Sequence, residues 1–331
     1  MPETFKALVL TQGDDKQTLS NIEQLTDADL PDGDVLLAVD YSSLNYKDGL
    51  AITGKGKIVR QWPLVPGIDL AGTVVESSSA DYQPGDKVVL TGWSVGEKYW
   101  GGYSQRQRVR SEWLVPLPDG LDSRQAMAIG TAGFTAMLCV MALEEAGVTP
   151  DKGTVLVTGA SGGVGSIAVA ILAKLGYPVA AVSGKAEADA YLKDLGAAQI
   201  LSRAEMSEKP RPLEGQRWAG AVDTVGSTML ARVLAETDYG GCVAACGLAG
   251  GFDLPTTVMP FILRNIRLQG VDSVMCPVER RRIAWQRLVS DLPAKAIGEI
   301  GQVATLEQLT ALAEQITTGK IRGRVIVDPN G

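Results

Sequence analysis

One stretch constrains the fold more than any other: Thr154 to Lys185, TVLVTGASGGVGSIAVAILAKLGYPVAAVSGK. Val155, Leu156 and Val157 form a short apolar run of the kind that fills a buried parallel strand. Gly159, Gly162, Gly163 and Gly165 follow at once. Glycine permits a tight turn and lets the backbone approach a diphosphate with no Cβ in the way. From Ser166 to Leu175 small and apolar residues recur at helical spacing, Gly176 ends that helix, and Val179 to Val182 begins the next strand. Free N–H groups and the positive end of the helix dipole then face any anion over the turn. The strand–turn–helix–strand context predicts a dinucleotide site, with a purely structural glycine turn as the alternative.

Composition narrows the chemistry. The chain has 331 residues, enough for two domains, and 45% of them are hydrophobic. It contains no histidine, which removes the commonest general acid/base and the commonest zinc ligand together. Hydride transfer suits that constraint, because a cofactor carries the hard step. The net charge of −7 argues against general nucleic-acid binding. No apolar run reaches the roughly 18–20 residues that span a bilayer, and MPETFKALVL lacks the pattern of a secretory signal. The four cysteines, Cys139, Cys242, Cys246 and Cys276, have no C-x-x-C spacing and sit in apolar surroundings, as reduced core thiols do. A cytoplasmic location without membrane or nucleic-acid partners is the expectation.

Up to about Leu121 the chain reads as β-rich. Short strands are predicted at 7–10, 35–41, 70–76, 87–90, 105–109 and 113–115, separated by turns such as Pro31-Asp32-Gly33, Pro84-Gly85-Asp86 and Pro118-Asp119-Gly120. Ser123 is a good N-cap for a helix rich in Ala, Met and Leu from Ala126 to Ala146. Alternation then takes over: a helix at 187–195, strands at 199–201 and 219–223, a helix at 228–236, and strands at 241–246 and 267–271. This predicts a doubly wound parallel sheet. Helices at 279–291 and 306–317 precede a last strand at 324–327, expected to return to the N-terminal β-domain. The domains are therefore 1–122, 123–273 and a returning segment 274–331.

An acidic residue after the second strand of a nucleotide fold binds the adenosine ribose and repels a 2′-phosphate. Here Ser183-Gly184-Lys185 stands instead. A hydroxyl, an open backbone and an ammonium make a phosphate site, and Arg203 after the third strand adds a guanidinium. The pair favours NADPH over NADH, against the alternative that Lys185 and Arg203 are solvated surface residues.

At this point the chain resembles the medium-chain dehydrogenase/reductase superfamily. Where its zinc alcohol dehydrogenases carry a metal-binding cysteine and a G-H-E, this chain has Ser43-Leu44-Asn45-Tyr46-Lys47-Asp48 and Gly67-Ile68-Asp69. It therefore looks like the zinc-free quinone-oxidoreductase branch, with no metal site. SSLNYKDGLAITGKGKIVR, VPGIDLAGTV, LTGWSVGEKYWGGYSQ, IGTAGFTAMLCVMALE, VTGASGGVGS, GGCVAACGLAGG, LPTTVMPFILRNIRLQGVDSV and ERRRIAWQRLV together are similar to its acrylyl-CoA reductase subfamily. The resemblance implies an α/β protein with a GroES-like β-rich catalytic domain and a Rossmann domain. It implies NADPH-dependent reduction of acrylyl-CoA to propanoyl-CoA by a cytoplasmic homodimer. It also implies cofactor contacts at Tyr46, at Ser161, Gly162, Gly163, Val164 and Gly165, at Ser183, Gly184 and Lys185, and at Arg203. Further contacts fall on Leu248, Ile262, Ser273 and Asn330.

An enoyl thioester accepts a hydride at its β-carbon. Donors must hold the thioester oxygen as charge develops there, and a proton must reach the α-carbon. Tyr46 is the first candidate for positioning and proton delivery, or is an aromatic that only packs on the cofactor. Asn45 is a candidate oxygen donor or a loop-bracing amide, and Asp48 is expected to brace the same loop. Lys55 and Lys57, or Arg106, Arg108 and Arg110, could meet CoA phosphates or be solvated. Arg280, Arg281 and Arg282 are expected on a wet helix face, and Cys246 in the core. Trp93, Tyr99 and Trp100 could roof the nicotinamide pocket or cap the β-domain core. A quinone or small-enone reductase, and an NADPH-binding sensor without turnover, are the competing functions.

Overall fold

A computed structural model describes residues 4–331. Strands β1 to β7 are Thr4–Gln12, Thr18–Thr26, Val35–Leu44, Asp69–Ser77, Lys87–Thr91, Arg106–Val109 and Val115–Pro116. Strands β8 to β13 are Val155–Val157, Val179–Ser183, Gln199–Ser202, Trp218–Asp223, Thr237–Ala245 and Arg267–Gly270; β14 and β15 are Gly301–Thr305 and Arg324–Asp328. The chain forms two compact units. One takes residues up to Thr131 with Ser273–Val289 and Ile297–Gly331; the other takes Ala132–Asp272 and Ser290–Ala296.

In the first unit the sheet order is β14-β15-β3-β4-β5-β7, with β6 also on β3 and a separate β1–β2 hairpin. β15 pairs antiparallel with β3, setting Val325 opposite Leu44 and Ile326 opposite Ser43. The last strand thus returns to the N-terminal sheet, where its Val325 and Val327 complete a core with Leu8, Leu10, Leu44 and Ile52. The hairpin partner β2 escapes the sequence pattern. TLSNIEQLT is largely polar and half exposed, so no apolar run marks it. The segment expected as a strand at 113–115 is instead a 3₁₀ turn, Ser111–Trp113, before the short β7.

The second unit carries a six-stranded, all-parallel sheet in the order β10-β9-β8-β11-β12-β13. This is the doubly wound order, with the strand order reversing at β8 and β11. Leu156, Ala180, Val182, Ala221 and Val243 from its strands pack against Leu230, Val233 and Leu234 of the helix Ser227–Glu236. Each buried Leu or Val among them contributes about 1.5–3 kcal/mol relative to exposure.

Helices α1 (Tyr46–Thr53), α2 (Ser123–Glu145) and α3 (Gly163–Lys174) position the sites below. The cap of α2 is Asp122, not Ser123. Asp122 Oδ1 accepts from Gln125 N at 2.7 Å, and Gln125 Oε1 accepts from Asp122 N at 2.9 Å. Ser123 instead donates its hydroxyl to Asp40 at 2.6 Å. α2 also corrects the expectation about apolar runs. It is long and apolar enough to cross a membrane by composition, but 94% of its most apolar window is buried inside the protein, so it is a core helix. It breaks helical geometry at Gly130 (φ 52°, ψ −161°).

Candidate active site

In the second unit, β8 delivers the chain to the glycine turn. Thr158 donates its hydroxyl to Asp223 at the end of β11 at 2.7 Å and accepts from Thr224 N at 3.0 Å. The other Asp223 oxygen accepts from Gly226 N at 2.8 Å. Burial pushes the Asp223 carboxyl above its ordinary range, against these bonds. The turn is thereby pinned to the neighbouring strand.

Gly159 has φ +58°, the left-handed region, and a Cβ there would lie 2.3 Å from Thr224 Oγ1. A Cβ on Gly165 would lie 2.4 Å from Gly159 O, so only glycine lets α3 pack onto the turn. α3 starts at Gly163, earlier than the small-residue pattern from Ser166 indicates. Gly163, Val164 and Gly165 are thus the first helical turn, whose amides have no acceptor within the helix. Gly162 is the N-cap and is exposed, while Ser161 is buried. Backbone amides, a helix N-terminus and a surface clear of side chains fit a diphosphate.

The predicted 2′-phosphate corner is brought together. β9 and β10 pair in parallel with Ser202 opposite Ser183. Ser183 Oγ accepts from Lys185 N at 3.1 Å. A Cβ on Gly184 would lie 2.7 Å from the Arg203 Cζ, so the guanidinium lies directly over that glycine. Lys185 is half-buried and Arg203 exposed. Leu248 and Ile262 are 69% and 71% exposed. Leu248 lines a groove of about 590 Å³ with Ser227, Cys246, Phe252 and Asp253. Cys246 is half-buried, with its thiol 3.5 Å from Asp223 O.

In the first unit, Tyr46 is the first residue of α1 and is 51% exposed. The turn before it is buried. Asp48 accepts from Asn45 N at 2.9 Å and from Ile68 N at 3.0 Å, which makes it the expected brace. Burial first, and then the charge of Asp69, push its carboxyl up to about 7. Asn45 is held at both ends: Nδ2 donates to Asp69 at 3.1 Å, and Oδ1 accepts from Arg324 at 3.0 Å. Of its two expected roles, the geometry is that of a loop brace. Tyr103 donates to Ser43 O at 3.1 Å, and burial pushes its phenol well above the usual value.

Ser273 is half-buried, and its carbonyl accepts from Arg281 at 3.0 Å. The terminal Asn330 is tied down, donating its amide to Val39 O at 3.0 Å.

Other expectations are corrected by local partners. Arg281 is not on a wet face. It is 1% exposed, donates to the carbonyls of Thr91, Cys276 and Val274, and lies over the Trp93 ring. Arg106 pairs with Asp27 at 3.2 Å, Arg108 bonds Asp27 O, and Arg110 lies over Trp113. Lys55 pairs with Glu314, while Lys57 is exposed. Trp93 and Tyr99 pack against the β-domain core, and Trp100 bonds Pro63 O. The roles of Asp69, Ser43, Tyr103 and Arg324 were not legible. Only Gly67-Ile68-Asp69 offered a signal, since Arg324 lies 279 residues from Asn45.

The alcohol dehydrogenase GroES-like domain model matches residues 31–119, and the zinc-binding dehydrogenase model matches 163–290. The chain is 60% identical over 326 residues to a probable acrylyl-CoA reductase AcuI of Escherichia coli, covering 98% of this chain and all of that one. It is 58% identical to the acrylyl-CoA reductase AcuI of Ruegeria pomeroyi, over 98% of this chain and 99% of the relative. The crystal structure of E. coli YhdH with bound NADPH superposes with a TM-score of 0.96 at 60% identity, covering 98% of this chain and 100% of that one. With its GroES-like unit and its Rossmann unit both matched, the chain belongs to the medium-chain dehydrogenase/reductase family, in the group that contains the acrylyl-CoA reductases.

Proposed function

We propose that this chain is an NADPH-dependent acrylyl-CoA reductase, an oxidoreductase acting on a CH–CH bond and yielding propanoyl-CoA. The observation that carries it is 58–60% identity over nearly the whole chain to two proteins of that name. The residues present fit the cofactor. The turn at Ser161–Gly165 leaves no room for a side chain at Gly165, and Arg203 lies over Gly184 beside Lys185. Ser161, Gly162, Gly163, Val164 and Gly165 would hold the diphosphate with backbone amides. Ser183, Gly184, Lys185 and Arg203 would hold the 2′-phosphate with two cations. Tyr46, Leu248, Ile262, Ser273 and Asn330 complete the proposed contacts. When bound, NADPH supplies the hydride for the β-carbon of the enoyl thioester.

Tyr46 orients the acceptor and supplies the proton for its α-carbon, as the exposed phenol next to a rigid turn. Asn45 holds that turn instead of donating to the thioester oxygen, since both ends of its amide are engaged in the protein. No zinc takes part in this proposal. The chain has no histidine, and the described residues contain no group of three or more Cys, Asp and Glu suited to a metal. A cytoplasmic homodimer belongs to the same reading. β13 is an edge strand of its sheet, and Val258, Ile262 and Leu263 just before it are 65%, 71% and 56% exposed. The proposed domains are 1–122, 123–273 and 274–331.

An NADPH oxidation panel tests the activity with acrylyl-CoA, crotonyl-CoA, free acrylate and a quinone. Fast turnover of acrylyl-CoA is expected. Turnover of the quinone alone would make the enzyme a quinone reductase, and binding without oxidation of any acceptor would make it a sensor. Sedimentation of the purified protein tests the dimer.

A further inference from the structure

Beneath the exposed Tyr46 lies a cluster of buried charge that the proposed chemistry does not use. Asp69 is fully buried, Arg324 is 3% exposed, and Asp48 is 1% exposed. Asp69 opens β4 and accepts from four donors: Ser43 N at 3.1 Å, Ser43 Oγ at 2.8 Å, Asn45 Nδ2 at 3.1 Å and Thr131 N at 2.8 Å. Arg324 opens β15 and lies 4.0 Å from Asp69. It donates to Asn45 Oδ1 at 3.0 Å, Leu44 O at 3.4 Å, Ala128 O at 3.2 Å and Ser43 Oγ.

Two features separate this cluster from ordinary packing. Removing a carboxylate and a guanidinium from water costs several kcal/mol each, and apolar residues of equal volume often serve stability as well or better. The charges are also aimed. Of the bonds given above, all but those to Ala128 and Thr131 end on residues 43–45, the three residues that lead into Tyr46. Those two fix the kink of α2 around the pair. A Cβ on Gly130 would lie 2.5 Å from Arg324 Nη2, 2.7 Å from Ser43 Oγ and 2.8 Å from Asp69 Oδ2. The β3 end, the β4 start, the α2 kink and the β15 start thus converge on one turn.

We propose that the Asp69–Arg324 pair, linked through Ser43, is the positioning device that sets the Asn45–Tyr46 turn for the reduction step. It rests on the reading of Tyr46 as the residue that meets the acceptor. Asp69 and Arg324 touch no reacting atom in this scheme; they act through Asn45 and the start of α1. A displacement of about 1 Å at such a residue lowers turnover by up to about a hundredfold.

The test uses the full-length enzyme with NADPH and acrylyl-CoA, or with whichever acceptor the panel above shows to be turned over. Asp69→Asn and Arg324→Lys are compared with Ser43→Ala, which keeps both charges and removes only the linking hydroxyl, and with Tyr46→Ala. The expected result is a kcat lowered about tenfold or more in Asp69→Asn and Arg324→Lys, and about threefold in Ser43→Ala. The KM for the acceptor stays close to that of the parent, and Ser43→Ala melts lower, because Asp69 and Arg324 each lose a partner, but is folded at the assay temperature. If Asp69→Asn or Arg324→Lys does not fold, Ser43→Ala decides. An unaltered kcat in folded Ser43→Ala and Asp69→Asn, with Tyr46→Ala impaired, overturns the positioning role and leaves Tyr46 in place. Parental rates in Tyr46→Ala remove the role of Tyr46 and the positioning role together. A kcat loss that only follows the fraction of unfolded protein likewise overturns the proposal.

Discussion

The glycine turn and the Tyr46 turn are built in opposite ways. The first uses backbone: Gly159 supplies a left-handed φ, Gly165 supplies clearance, and the first amides of α3 are left without helical acceptors. Its residues lie next to one another in the chain. The second uses side chains drawn from four separate segments, held by buried charge around Ser43 and Asn45. A site made of local backbone is written as a local motif, and a site made of distant side chains is not.

Substitutions can break this contrast at either end. The largest effect is expected from Gly165→Val, which drives a side chain into the Gly159 carbonyl. NADPH affinity should fall on the order of a hundredfold or more, because the turn backbone cannot give way cheaply. A fluorescence titration with NADPH measures it, and retained affinity would show that the turn is not packed against α3. Tyr46→Phe comes next. General acid catalysis is worth about a hundredfold or more, so kcat should fall by that order while NADPH affinity holds. Unchanged turnover would reduce Tyr46 to a packing role.

Lys185→Glu sharpens the cofactor side. A charge-assisted bond contributes about 1.5–3 kcal/mol, so NADPH should bind at least about tenfold more weakly while NADH is little affected. Equal loss for both nucleotides would reject the phosphate assignment.

The smallest effect concerns pH. Asp48 has an ordinary value of 3.8 and is pushed up to about 7 in the fold, by burial and then by Asp69. Tyr103 and Arg324 also face it. Between these values the folded state holds more protons at this residue than the unfolded state, so its contribution to stability falls as pH rises from about 4 to about 7 and is level above that. The melting temperature of Asp48→Asn relative to the parent should therefore rise across this window and then stay flat. A difference that does not change with pH would mean that Asp48 is ionised throughout.

Legibility followed the same division. The parallel sheet of the second unit was readable because its central strands β8, β9 and β11 are short buried apolar runs and the turn after β8 carries glycine. The proposed phosphate corner rests on Ser183, Gly184 and Lys185, which are consecutive, and on Arg203, which follows the neighbouring strand. β2 was missed because an exposed hairpin strand needs few apolar residues. Arg281 was misplaced because a helix start rich in arginine looks solvated, whereas backbone carbonyls and the Trp93 ring take up its guanidinium.

By itself the sequence determined the two kinds of architecture, the dinucleotide turn and the preference for a phosphorylated cofactor, since each rests on residues close together along the chain. Only the tertiary structure decided that both ends of the Asn45 amide are engaged within the protein, that Asp48 and Asp69 share a buried site, and that Arg324 closes it. Those outcomes depend on contacts between segments as much as 281 residues apart, and on burial, which changes what a carboxyl or a guanidinium does without changing the letter that encodes it.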